Sequence, residues 1–282
     1  MKQILIPTDF SPNSWNTLKY ASNLYKNVSC KFHIVNTYEV PSSLLSSTVS
    51  SQKIGHLYDA VKKVSEKKLE LLFTDIDQYL ANPKHIYETI SKPGAFVKVV
   101  QQMTIQTLYD MIVIGTKGAT GAKEVFIGSN TQNLVKHIHN CPILIIPESV
   151  SFTPISEIAF ATDFERIFFK SEIVPIIDLA KRCNATIRMI HVYDEPKLSE
   201  VQHYNSSSLE RYFKNLSYDF HVIQDFSTIE KAIEAFIEEL DIDVLVMIKY
   251  PHSFIEQLTR EAIIKKITFH IEIPFLVIPS DD

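Results

Sequence analysis

The sequence predicts an α/β protein built from two related units, each a parallel β-sheet covered by helices on both faces. Four short segments of the first half recur in the same order in the second half. Between them, short and almost continuously apolar segments alternate with longer segments of helical periodicity. Because strands of this kind are typical of sheets buried on both faces, right-handed crossovers would give a doubly wound, Rossmann-like arrangement.

The internal repeat sets the expected domain organisation. The matching pairs are KQILIPTDF near the N-terminus with SEIAFATDF at 156–164, HIVNTYE at 33–39 with MIHVYDE at 189–195, DMIVI at 110–114 with DVLVM at 243–247, and NCPILIIP at 140–147 with EIPFLVIP at 272–279. We therefore predict a first unit at 1–147 and a second unit at 154–282. The segment 147–154 is bounded by proline and serine and is expected to be the linker.

Within each unit, strands and helices are expected to alternate. Ser11 and Pro12 are typical of a helix start, because serine caps the first turn and proline fits it. The Ser-rich segment 41–52 is predicted to be a mobile loop. The predicted strands of the first unit are Ile4–Pro7, Lys31–Asn36, His85–Ile90, Met111–Ile114 and Ile143–Ile146, its helices are 13–25, 57–80, 95–108 and 130–137, and the second-unit strands are near 157–161, 186–192, 218–223, 244–248 and 275–278.

Composition narrows the classes of function. Hydrophobic residues make up 45% of the 282 residues, charged residues make up 22%, and the formal net charge is −5. Both signs are mixed along the chain without a basic stripe, so no nucleic-acid partner is expected. The apolar start is broken by Pro7 and Asp9, and no apolar stretch has membrane-spanning length, so neither a signal peptide nor a membrane span is expected. The cysteines at 30, 141 and 183 fit no disulfide framework, which favours a cytoplasmic location.

A ligand site is expected beyond the carboxyl ends of the strands, where the strand order of an open parallel sheet reverses. Strands one and four normally flank that point. Asp9 follows strand one. The segment after strand four, GTKGATGAKEVFIGSNTQ, holds four of the chain's six glycines, at 115, 118, 121 and 128.

The residue types at this edge fit a nucleotide. Gly115 and Gly118 would let the backbone pass close to a ligand and adopt positive φ. Gly128 and Ser129 open a helix, whose free N–H groups and positive dipole end favour a phosphate, and the Ser129 hydroxyl adds a donor. The Asp9 carboxylate could accept hydrogen bonds from a ribose or a base. A nucleotide site is the resulting hypothesis.

These residues resemble the universal stress protein family. The spacing Gly115-x2-Gly118-x9-Gly128-Ser129 is similar to the nucleotide-binding motif of that family, and the segment from Ile6 to Ser11 resembles its first strand and ligand-facing aspartate. The resemblance covers both halves in outline, but the phosphate motif occurs only in the first.

The resemblance implies two tandem adenine nucleotide alpha hydrolase-like sandwiches, each with three layers and a five-stranded parallel sheet. It also implies ATP binding, with any magnesium held by phosphates and water, and a role in stress adaptation. Family dimers often pair through strand five, so the resemblance implies an intramolecular pseudo-dimer through Ile143–Ile146 and Phe275–Ile278, a further homodimer, or a partner protein that the sequence does not name. Carried over residue by residue, the nucleotide contacts are Pro7, Thr8, Asp9, Thr37, Ile114, Gly115, Gly118, Gly128, Ser129 and Asn130. Lys117 could also reach the phosphates, although a lysine in such a segment can equally be solvated.

The second unit departs from this pattern because it contains no glycine. Asp163 stands where Asp9 does. The repeat alignment puts Arg260-Glu261 at the place of Gly128-Ser129, and Lys249 and Pro251 near the first two glycines. Such side chains would fill the space of a phosphate, so we predict that this second site is lost.

Plainer explanations stay open. The glycines after strand four could form only a tight turn, Asp9 could only help to start the following helix, and Ser129 could be only a helix cap. Three functions compete: a nucleotide-dependent regulatory protein, a slow ATPase or nucleotide-processing enzyme, and a ligand-free scaffold. Because no general base is paired with a nucleophile in the glycine segment, no catalytic residue is assigned.

Overall fold

A computed structural model describes residues 1–40, 51–116, 128–192, 198–224, 228–250 and 272–280. In the first unit, five strands and four helices alternate along the chain. They are β1 (Lys2–Pro7), α1 (Pro12–Leu24), β2 (Cys30–Tyr38), α2 (Ser51–Tyr79), β3 (His85–Pro93), α3 (Phe96–Gln106), β4 (Met111–Gly115), α4 (Ser129–His137) and β5 (Ile143–Ile146).

The second unit repeats the order of strands. Its described elements are β6 (Glu157–Ala161), α5 (Lys170–Cys183), β7 (Thr186–Val192), α6 (Glu200–Phe213), β8 (Tyr218–Ile223), α7 (Ile229–Glu239), β9 (Val244–Lys249) and β10 (Phe275–Pro279). The predicted strands are therefore confirmed in both units. The helix α2 begins at Ser51, so the end of the predicted loop 41–52 is helical, while 41–50 lie outside the described residues.

All ten described strands form one sheet, in the order β3-β2-β1-β4-β5-β10-β9-β6-β7-β8. Strands within each unit pair in parallel, and each unit has the same internal order, which reverses direction beside β1 or β6. The two units join where β5 and β10 pair antiparallel, with Ile145 opposite Phe275 and Leu144 opposite Leu276. The predicted Rossmann-like α/β fold with five parallel strands per unit is thus confirmed, and the sheet continues across the unit boundary.

Helices cover the sheet on both faces and give it three layers. Alternate strand residues point to opposite faces, so Ile4 and Ile6 join one core cluster and Leu5 joins the other. The helices α1, α2, α5 and α6 pack on the first face, and α3, α4 and α7 pack on the second. Each cluster contains residues of both units, so the apolar core is continuous through the molecule.

Side chains also tie the two units together. The Lys2 ammonium lies 2.9 Å from Asp110 in its own unit and 2.8 Å from Asp178 in α5. The guanidinium of Arg182 lies 4.1 Å from the ring centroid of the buried Tyr25, within the range of a cation–π contact. These contacts flank the β5–β10 junction and fix one unit against the other. Among the described helices, none is long and apolar enough to span a bilayer.

Candidate functional site

The Asp9 turn connects β1 to α1. Phe10 has a φ of 64°, in the left-handed region that few non-glycine residues adopt. Two side-chain hydrogen bonds hold this turn: Phe10 N donates to Thr8 Oγ1 at 3.1 Å, and Ser11 N donates to Asp9 Oδ1 at 2.9 Å. Ser11 then caps α1, because its hydroxyl accepts from Ser14 N at 3.2 Å. The turn therefore fixes an exposed carboxylate at the carboxyl end of the first strand.

The turn also sets the charge state of Asp9. Partial burial acts to raise the pKa of this carboxyl, but hydrogen bonds from Ser11 and Ser14 outweigh it and lower the pKa below its usual value. The carboxylate is consequently ionised at neutral pH and can accept hydrogen bonds from hydroxyl or amino groups. Asp9 also helps to start α1, as one of the plainer explanations expected, because it accepts a hydrogen bond from Ser11 N.

A chain of polar side chains links the Asp9 turn to α2. Asn36, at the end of β2, donates from Nδ2 to Thr8 O at 2.7 Å. The hydroxyl of buried Ser65 in α2 donates to Asn36 Oδ1 at 2.8 Å and lies 2.8 Å from the hydroxyl of Ser91. The position of α2 and that of the turn are therefore coupled through one amide.

A cavity of about 430 Å³ opens beside this turn. Its volume is in the range of small-molecule sites, which span roughly 300–1,000 Å³. The Lys68 ammonium lies 5.3 Å from the centroid of the Phe10 ring at the cavity wall. The lining combines apolar side chains with carboxylates, an amide, a hydroxyl and this cation: Asp9, Phe10, Asn36, Tyr38, Glu39, Ala60, Val61, Val64, Ser65 and Lys68.

Gly115 ends β4 next to helix α1. A Cβ at this position would lie 2.7 Å from side-chain atoms of Asn13 and of Thr17, so these two side chains would have to shift to admit it. The φ of Gly115 is not positive, so the expectation of positive φ at this residue is wrong. The close approach to Gly115 is made by α1. Asn13 Oδ1 and the hydroxyl of buried Thr116 have no hydrogen-bond partner among the described residues.

The helix α4 presents its N-terminus at the same edge of the sheet. The first turn is closed by Gln132 N donating to Gly128 O at 2.9 Å, and Gly128 provides no side-chain cap. Thr131 anchors the turn to β4, because its hydroxyl donates to Gly115 O at 3.0 Å. Ser129 and Asn130 are exposed. The first N–H groups of an α-helix have no partner within the helix, so this end of α4 favours an anion.

The predicted contacts fall into three groups. Pro7 ends β1 and is followed by Thr8 and Asp9, and Ile114 and Gly115 end the adjacent β4. Gly128 is the N-cap of α4, whose first residues are Ser129 and Asn130 and whose Thr131 contacts Gly115. Thr37 lies in β2, on the other side of β1. Asp9 alone of the predicted residues lines the described cavity. Lys117 and Gly118 lie outside the described residues.

The second unit contains a turn of the same construction. Phe164 has a φ of 57°. Phe164 N donates to Thr162 Oγ1 at 3.3 Å, and Glu165 N donates to Asp163 Oδ1 at 3.0 Å. Sequence identity at Thr-Asp-Phe therefore produces the same backbone twice.

The surroundings of that second turn differ. The Tyr250 hydroxyl donates a hydrogen bond to Asp163 Oδ2, and burial together with the Asp163 charge raises the pKa of this phenol. Phe164 is fully buried, and its ring packs against Phe168, His191 and Phe220. Asp163 and Phe164 therefore contact other side chains of the protein, whereas Asp9 and Phe10 line a cavity.

Strand register refines the expected replacements in the second unit. Met111 pairs with Ile4 and Val244 pairs with Ile158, the equivalent of Ile4 in the repeat. Counting along the strands, Ile248 takes the place of Gly115, and Lys249 takes the place of Thr116. The ammonium of Lys249 does not fill the second site; it donates to Val135 O and Lys136 O in the first unit. Pro251, Arg260 and Glu261 lie outside the described residues.

Comparison with known proteins gives the family. A sequence profile of the universal stress protein family matches residues 1–147, more than half of the chain. This chain belongs to the universal stress protein family. Two archaeal relatives from Methanocaldococcus jannaschii agree. The universal stress protein MJ0531 is 25% identical over 146 residues, and the match covers 51% of this chain and 81% of the relative. The universal stress protein MJ0577 is 25% identical over 158 residues, and the match covers 51% of this chain and 94% of the relative.

The similarity in fold extends beyond the first unit. A universal stress protein from Archaeoglobus fulgidus superposes with a TM-score of 0.72, at 19% identity, over 98% of this chain and 98% of that chain. At this identity the likeness concerns the fold alone, but it covers both units. Both units of this family member therefore share an architecture with a solved universal stress protein.

Sequence reasoning missed the contribution of α2. Val61, Val64, Ser65 and Lys68 line the cavity although no motif marks them. One signal was available: Ser65 is a polar residue four positions before buried Leu69, on the apolar stripe of a long amphipathic helix. A buried hydroxyl needs a partner, and that partner is Asn36. Among the described residues, no cluster of His, Cys, Asp and Glu could hold a metal ion.

Proposed function

We propose that the first unit of this universal stress protein binds one ATP, with magnesium on its phosphates, and that occupancy regulates the chain in stress adaptation. One observation carries the proposal. The Asp9 turn and the open N-terminus of α4 stand at the carboxyl ends of adjacent strands β1 and β4, where strand order reverses. Open α/β sheets bind ligands at this point.

The nucleoside end of ATP fits the cavity beside Asp9. The ionised Asp9 carboxylate would accept hydrogen bonds from ribose hydroxyls, and the apolar cavity wall at Val61 and Val64 would contact the flat base. Pro7, Thr8, Thr37 and Ile114 would line the approach through their backbone, as the family resemblance implies.

The phosphates would lie at the N-terminus of α4. The amides of Ser129 and Asn130, the Ser129 hydroxyl and the positive end of the helix dipole would hold them. Gly118 and Lys117 would complete the phosphate site, with Lys117 as a point charge. We assign no catalytic base among the described residues, and the role proposed for these groups is to bind the nucleotide.

The second unit would bind no nucleotide. Tyr250 already engages the Asp163 carboxylate, Phe164 fills the space beside it, and Ile248 stands where β4 has Gly115. Its role would be to complete an intramolecular pseudo-dimer. The antiparallel β5–β10 pairing supports this, because it covers two apolar strands that would otherwise be open edges.

This arrangement sets expectations for partners and location. With both fifth strands paired internally, a homodimer or a partner protein would have to use another surface. The proposed site of action is the cytoplasm, which the three free cysteines at 30, 141 and 183 support. Size-exclusion chromatography with light scattering, with and without ATP, measures whether occupancy changes the assembly.

The first test is calorimetric titration of the full chain with ATP and magnesium, with AMP as the control for the phosphate contribution. We expect saturation at one ATP per chain and weaker binding of AMP. Two ATP per chain would contradict the closed second unit. Absence of binding would overturn the proposed function and favour the ligand-free scaffold.

A further inference from the structure

We propose that Lys249 of the second unit is a positioning residue for the nucleotide site of the first unit, because it holds the C-terminus of α4. This inference rests on the proposed function, which places the phosphates at the N-terminus of the same helix. The Lys249 ammonium donates to Val135 O at 2.8 Å and to Lys136 O at 2.9 Å. Both carbonyls belong to the last turn of α4, whose range is Ser129–His137.

The helix α4 needs such a contact because it is short. It has nine residues, and isolated helices of that length are not stable in water. Its last carbonyls lack partners within the helix, as in every helix end. Ile138 N pairs with Leu134 O, Gln101 donates weakly to His137 O at 3.3 Å, and Lys249 provides partners for the two carbonyls between them.

The positive charge of Lys249 also suits its position at the C-terminus of α4. A cation at a helix C-terminus interacts favourably with the helix dipole, and two charge-assisted hydrogen bonds fix the orientation of the last turn. At the other end, Gly128 offers no side-chain cap, so the first N–H groups remain for a ligand. A helix secured at its C-terminus keeps those groups ordered before the phosphate arrives, and less ordering entropy is lost on binding.

The contact depends on the second unit, and among the described residues the first unit makes no equivalent contact. Lys249 is the last residue of β9, and β10 lies between β9 and β5, the strand that follows α4. At the equivalent place in β4 stands Thr116, whose buried hydroxyl has no partner among the described residues. The glycine-free unit would thus contribute to nucleotide binding although it holds no nucleotide itself.

The test compares variants of the full chain by calorimetric titration with ATP and magnesium. Lys249→Met keeps the length of the side chain and removes its charge, and we expect about a threefold to tenfold higher Kd. Lys249→Arg keeps a cation with hydrogen-bond donors at this position, and its Kd for ATP should lie within about twofold of that of the unaltered chain. Lys2→Met removes another contact between the units, the ion pair with Asp178, without touching α4, and should leave the Kd unchanged.

A second measurement, hydrogen–deuterium exchange of the α4 amides without nucleotide, separates this inference from the proposed function. We expect faster exchange in Lys249→Met and unchanged exchange in Lys2→Met. An unaltered Kd in Lys249→Met, or an equal loss in Lys2→Met, would overturn the positioning role. If the unaltered chain binds no ATP, the proposed function fails and the link to nucleotide fails with it. In that case the exchange rates of the α4 amides still test whether Lys249 holds the helix. Unchanged rates in Lys249→Met would refute this structural role as well.

Discussion

The two Thr-Asp-Phe turns have the same backbone and different surroundings. In both, a phenylalanine adopts a left-handed φ, 64° at Phe10 and 57° at Phe164, and the aspartate accepts from the second following amide. Phe10 lines a cavity, whereas Phe164 is fully buried in an aromatic cluster. A local motif therefore reproduces a turn, but its neighbours decide whether the turn faces a ligand.

The helices that follow the two turns also differ between the units. The helix α1 begins two positions after Phe10, at Pro12, whereas α5 begins six positions after Phe164, at Lys170. The early turns of α1 place Asn13 and Thr17 against Gly115, where a Cβ would lie 2.7 Å from their side-chain atoms. In the second unit Ile248 occupies that strand position, and the helix starts later. Glycine at the end of β4 and an early helix start belong together.

The largest expected effect comes from copying Ile248 into the first unit. Gly115→Ile places a Cβ 2.7 Å from atoms of Asn13 and Thr17. We expect a loss of about 3 kcal/mol in the free energy of unfolding, because overpacking forces the helix away from the strand. Urea denaturation measures this. The matched control Ile248→Val should cost only about 1 kcal/mol, and a Gly115→Ile variant as stable as the control would disprove the close packing of α1 on β4.

The next effect concerns the phosphate site. Gly128→Arg copies the residue that the repeat alignment places there in the second unit. Because Gly128 has φ −60° and lies outside the core, the fold should persist, while the side chain blocks the N-terminus of α4. We expect ATP affinity to fall at least tenfold, about 1.4 kcal/mol or more.

Gly128→Ala is the control for that variant, because φ −60° suits any residue and a methyl group leaves the amides open. It should retain ATP binding with at most a small change in Kd. Undiminished binding by Gly128→Arg would show that the phosphates lie elsewhere.

A smaller effect is expected at the hydrogen bond between Tyr250 and Asp163 of the second unit. Tyr250→Phe removes the hydroxyl that donates to Asp163 and keeps the ring. We expect a loss of about 1 kcal/mol in the free energy of unfolding, since the carboxylate can be partly resolvated. Thermal and urea unfolding measure it, with Tyr79→Phe at an exposed tyrosine as the control. If the variant also gained a second ATP per chain, Tyr250 alone would account for the closed site.

The smallest effect concerns the pH dependence of the Asp9 turn. The folded pKa of Asp9 is lowered, so its carboxylate stabilises the fold at pH values above the unfolded pKa of 3.8, and this contribution is lost as the pH falls through the folded value. Because the side chain is exposed, Asp9→Asn should cost less than about 1 kcal/mol at pH 7. The difference in unfolding free energy should shrink between pH 5 and about pH 3. A difference that grew on acidification would contradict the sign of the shift.

The sequence by itself determined the architecture of this protein. The repeat, the apolar strands and the helix start at Ser11 and Pro12 are local patterns, and the structure confirms each predicted strand and the Rossmann-like order. Asp9 and the start of α4 could also be named as candidate site residues, because the sequence shows a carboxylate after one strand and glycines after another.

Only the tertiary structure decided what surrounds these residues. The packing of α1 on Gly115, the hydrogen bond of Tyr250 to Asp163, and the contact of Lys249 with α4 all join residues from separate parts of the chain. The sequence predicted Lys249 to fill the second site, whereas strand register and the β5–β10 junction direct it to the first unit. Periodicity shows which face of an element is apolar, but the neighbour of a given side chain depends on distances that only the assembled sheet fixes.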